Sequence, residues 1–104
     1  MREIVIGRDQ GCDVVVNDPS VSRKHAKLIV TNGDLHVLSD FGSKHGTFIK
    51  EGGAWKQVSS VEVKRADQIR LGMHISNVAD ILRSAEASGV ERNPDTGEII
   101  PRRT

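Results

Sequence analysis

Short apolar runs, each cut off by turn-forming residues, recur along this chain from Ile4 to about Ile75. Ile4 to Ile6 reads as a strand ended by Gly7, and Asp13 to Val16 as a second, stopped by Asn17, Asp18 and Pro19. Ala26 to Thr31 and Leu35 to Leu38 flank Asn32-Gly33, the strongest short hairpin signal, whose two central residues are expected at positive φ. Further strands are expected at Thr47 to Ile49, Trp55 to Val58, Val61 to Val63, Gln68 to Leu71 and Met73 to Ile75, with a turn at Glu51-Gly52-Gly53. Short strands at this spacing predict an all-β sandwich or barrel.

Composition supports that reading. The chain has one Trp, two Phe and no Tyr, so its core must be filled by Val, Ile and Leu, the first two of which favour strands. At 104 residues one domain with one core is expected. A formal net charge of +1, with Lys and Arg interleaved among Asp and Glu, argues against a general nucleic-acid binder and makes any anion site local. The lone Cys12 excludes an internal disulfide framework and is read as a small buried residue. The apolar stretch after Met1-Arg2-Glu3 is too brief for a signal peptide or membrane span, so a cytoplasmic location is expected.

The pattern changes at Ser76. Val78, Ile81, Leu82 and Ala85 fall at helical spacing, predicting a helix from Asn77 to Ala87 with Gly89 as its stop. The expected organisation is a core over residues 1–76, a helix over 77–88 and a tail or linker over 89–104.

Three ordered segments carry chemistry. They are Ile6-Gly7-Arg8 followed by Cys12 to Val16, Asp18 to Ala26 with Ser22-Arg23-Lys24-His25 inside it, and Asp40 to Ile49 with Gly42, Lys44, His45, Gly46 and Thr47. With Ala66 to Gly72, these segments resemble the forkhead-associated (FHA) domain family over about residues 4 to 76. The resemblance implies a β-sandwich of two mostly antiparallel sheets, whose loops at one end grip a phosphothreonine-containing segment of a partner protein. By motif position Arg8 and Ser22 would hold the phosphate, while Arg23, Lys44 and His45 would add phosphate or peptide contacts. A phosphate dianion needs several directed donors, and a guanidinium supplies paired N–H groups in a fixed fork. The resemblance also implies that His25 is structural rather than a catalytic partner for Ser22. Gly7, Gly42 and Gly46 are expected to serve the geometry of the site, and Asp13 and Asp40 to fix turns. Thr47 is read as beginning a strand or hydrogen-bonding within its loop in support of the site, and Trp55 as a packing residue that could otherwise face a partner. No nucleophile, base and orienting group come together, and His25, His36, His45 and His74 lack paired ligand spacing. No enzyme activity, metal or cofactor is expected.

The chain departs from the family pattern at two places. His45 stands where the family usually has Asn, and Lys50-Glu51-Gly52 stands where it commonly reads Asn-Gly. A protonated imidazole would place two donors and a charge beside a phosphate, so acid is expected to strengthen peptide binding. His45 also supports a second reading, a phosphate-independent scaffold in a protein assembly, for example in a secretion or cell-envelope complex. Thr96 precedes Ile99 by three residues, which raises self-association through a phosphorylated Thr96.

Overall fold

The computed structural model describes residues 2–88. Nine strands and one helix follow in order: β1 (Arg2–Gly7), β2 (Val14–Val15), β3 (Ala26–Val30), β4 (His36–Asp40), β5 (Thr47–Glu51), β6 (Ala54–Val58), β7 (Ser60–Val63), β8 (Gln68–Leu71), β9 (His74–Asn77) and α1 (Val78–Ser88). Two sheets form the sandwich, one ordered β2-β1-β3-β4-β7 and the other β6-β5-β8-β9. Only β1 and β2 pair in parallel. The tail expected from residue 89, with Thr96, lies outside the described residues.

Alternation along the strands builds the core. Ile4 and Ile6, Ala26 and Leu28, and Leu38 face inward from one sheet, and Ile49, Ile69 and Leu71 from the other. None of the aromatic residues is among them. The helix closes the same core with Val78, Ile81 and Ala85, at the spacing the sequence shows. Asn77 caps it: its Oδ1 accepts the Asp80 amide at 2.8 Å, satisfying one of the first-turn donors.

The β3–β4 connection corrects the sequence expectation. Neither Asn32 nor Gly33 adopts positive φ, because five residues, 31–35, join the strands instead of two. The Thr31 hydroxyl accepts the Gly33 amide at 3.2 Å and donates to the Leu35 carbonyl, and the His36 Nδ1 accepts the Thr31 amide at 3.2 Å. These side chains hold the connection without a left-handed backbone. The tight turn occurs instead at Gly52-Gly53, where both residues have positive φ and Glu51 pairs directly with Ala54.

Candidate functional site

β1 ends and β3 begins at the same end of the sandwich, where the loop over residues 17–25 and the β4–β5 loop meet them. Gly7 is the contact point. A Cβ there would lie 2.0 Å from the Arg23 carbonyl oxygen, so only glycine lets the two backbones approach this closely. The approach is tied by the Arg8 amide on the Ser22 carbonyl (3.0 Å) and the Asp9 amide on the Arg23 carbonyl (3.1 Å). The Arg8 Nε then donates to the Val21 carbonyl at 2.9 Å. That bond uses the inner N–H of the guanidinium and leaves its terminal amino groups for an outside acceptor.

Ser22 is held from both sides. Its amide donates to His25 Nδ1 at 3.0 Å, and its hydroxyl oxygen accepts the Lys44 amide at 3.0 Å. The hydroxyl proton therefore points to no partner among the described residues. His25 is fully buried, and its Nε2 lies 2.8 Å from the Gly46 carbonyl. One ring thus joins the Ser22 loop to the loop carrying Lys44 and His45. Burial lowers the His25 pKa, helped by His45 and opposed by the Gly46 carbonyl and the Asp40 charge.

Asp40 organises the second loop. Its Oδ2 accepts the amides of Gly42 (2.8 Å) and Ser43 (3.0 Å), and its Oδ1 accepts the Thr47 hydroxyl (2.7 Å) and the Ser43 hydroxyl (2.5 Å). Burial pushes its pKa up, but these four bonds outweigh that and lower it overall. Thr47 does both things expected of it: it starts β5 and bonds within the loop. Asp13 differs from expectation: it accepts the Val5 amide of β1 at 2.9 Å instead of fixing its own turn. Gly42 and Gly46 have positive φ, as their loop turns demand.

Arg8, Arg23, Lys44 and His45 are exposed at this end, with Ser22 half-buried beneath them. The side chains of Arg23, Lys44 and His45 make no hydrogen bonds among the described residues. The two loops thus bring a guanidinium, a free hydroxyl proton and further cations to one open end, which suits a phosphate on an extended chain. A cavity of about 550 Å³ lies at the opposite end, lined by residues including Arg2, Ile4, Lys64 and Leu82, and touches none of these groups. Among the described residues no cluster of His, Cys, Asp and Glu could hold a metal. Burial, then the Asp9 charge, raises the Cys12 thiol pKa, and its Sγ donates to the Arg23 carbonyl at 3.2 Å. The Val21 carbonyl and the Lys44 amide were not foreseen, because backbone partners leave no mark on residue type.

A sequence model described as the FHA domain matches residues 4–72. The chain belongs to the FHA domain family. Its fold resembles the FHA domain of CT664 protein from Chlamydia trachomatis, with a TM-score of 0.61 and 28% identity over 71% of each chain. It also resembles Mycobacterium tuberculosis EmbR solved with a low-affinity phosphopeptide, at a TM-score of 0.61 and 29% identity, covering 72% of this chain and 19% of that one. The glycogen accumulation regulator GarA of Mycobacterium tuberculosis is 30% identical over 66 residues, 64% of this chain and 38% of its own. The chain spans from 5% to 43% of the length of such curated relatives. FHA domains are interaction modules, and this one carries α1 beyond the matched residues, packed into the same core. No helix among the described residues is long and apolar enough to cross a membrane.

Proposed function

We propose that this FHA domain binds a phosphothreonine-containing segment of a partner protein in Ser/Thr-kinase signalling, within the cytoplasm. One observation carries the reading: Arg8 is anchored by its Nε on Val21, which leaves its terminal amino groups free, while the Ser22 hydroxyl proton has no partner among the described residues. Arg23, Lys44 and His45 add cations and donors at the rim, and His25, Gly7, Gly46 and Thr47 hold the frame. Hydrogen bonds to a charged group contribute about 1.5–3 kcal/mol each, enough for modest affinity once the peptide's ordering is offset.

Titrating the domain with a degenerate phosphothreonine peptide library and its unphosphorylated twin tests this by NMR. Phosphate-dependent shifts around Arg8, Ser22 and His45 are expected, with Arg8→Ala weakening binding by about tenfold or more. No shifts at millimolar peptide would sink the reading. The phosphate-independent scaffold is then the second reading, and the observation favouring it is His45, exposed and unbonded where the family usually has Asn.

A further inference from the structure

The aromatic residues stand outside the apolar core, and two of the three, Phe48 and Trp55, share the outer face of the four-stranded sheet. Thr47 and Ile49 point inward from β5, so Phe48 and Lys50 point out. Register places Gln57, Phe48, Arg70 and Ile75 in one row across all four strands, and pairs Lys50 with Trp55 in the next. The Arg70 guanidinium lies 4.1 Å from the Phe48 ring centre and 5.4 Å from that of Trp55, and Lys50 Nζ lies 5.5 Å from Trp55. The face is therefore an aromatic floor carrying two cations. Ile75 at its edge is 58% exposed, and Met73 in the adjoining turn is 71% exposed.

Neither cation is matched. Salt bridges among the described residues join Lys27 to Glu3, Lys56 to Glu51 and Arg83 to Asp80, and none reaches Lys50 or Arg70. The Arg70 Nε is buried without a hydrogen-bond partner. The terminal amino groups of the same guanidinium are neither buried nor bonded among the described residues, so they are what an acceptor from outside can reach. The face also abuts the loop end: a Cβ on Gly46 would lie 3.1 Å from the Phe48 ring and 2.8 Å from Gln57 Nε2.

We propose that this outer face docks an acidic segment of a protein partner that also carries aliphatic side chains. A carboxylate pairs with Arg70 and Lys50, and an aliphatic group packs on Ile75 beside the Phe48 and Trp55 rings. A second copy is a poor occupant, because two such faces would set like charges against each other. Two cations with no further basic stripe are too few for a nucleic acid. The inference goes beyond phosphopeptide binding and stands or falls separately from it.

The test uses the full chain and two unphosphorylated peptides, one alternating glutamate with valine and one with lysine in place of glutamate. Trp55 is the only tryptophan, so its emission reports on this face alone. The glutamate peptide is expected to shift that emission saturably and to move the amides of β5, β8 and β9. Arg70→Gln should weaken it by about tenfold, Ile75→Ser should weaken it independently, and Arg8→Ala should leave it unchanged. A missing response, an equal response to the lysine peptide, or shifts confined to Arg8 and Ser22 would overturn the proposal. Binding of a single-stranded oligonucleotide to this face, or emission that changes on diluting the protein alone, would overturn it as well.

Discussion

The His25 ring accepts the Ser22 amide at Nδ1 and meets the Gly46 carbonyl at Nε2, an arrangement made by neutral imidazole with its proton on Nε2. A second proton would set an N–H against the Ser22 amide. The lowered pKa agrees with this geometry, as burial also disfavours the charged ring. For both His25 and Asp40 the folded pKa lies below the unfolded one, so the unfolded chain binds more protons and acid destabilises the fold. The urea midpoint is expected to hold above about pH 6.5 and to fall below it as His25 titrates. It should fall again below about pH 4, and that lower stage should be blunted in Asp40→Asn. A midpoint flat from pH 7 to 5 would contradict the His25 geometry. Gly7→Ala is expected to destabilise by about 1–3 kcal/mol in the same assay, since backbone and not a flexible side chain blocks the added methyl. The site residues were legible as motif positions, but how each is held was not. Arg8 leans on a carbonyl and Ser22 on an amide, and such partners depend on which loops the sandwich brings together.

At the scale of elements, period-two alternation made the strands readable, and each expected strand is present within a residue or two. The turns were less readable. Asn32-Gly33 has the stronger hairpin chemistry, yet the two-residue turn formed at Gly52-Gly53. Turn type follows from where the flanking strands stop pairing, and the Thr31 and His36 side chains end the β3–β4 ladder early. The helix was readable from its apolar spacing, although it lies beyond residues 4–72. Its burial makes it an integral part of the fold: Ile81 is 3% exposed, against Val78 and Ala85 at 0%. Ile81→Ala is expected to cost about 2–4 kcal/mol by urea denaturation. A loss under about 0.5 kcal/mol, typical of surface changes, would mean that α1 only rests on the sandwich.

Across the whole molecule, a core without aromatic residues was foreseeable only in part. Composition pointed to Val, Ile and Leu and to a packing role for Trp55, but not to which face: it packs half-buried on the outer face with Arg70 and Lys50. Sequence alternation distinguishes the two faces of a sheet without saying which one meets the partner sheet. The cavity lined by Arg2, Leu82 and Glu86 shows where the ends of the described chain run. The start of β1 and the last turns of α1 share that cavity, at the end of the sandwich away from Arg8 and Ser22. Within the described residues both ends of the chain therefore lie on the side opposite Arg8 and Ser22, like a cable entering the back of a socket.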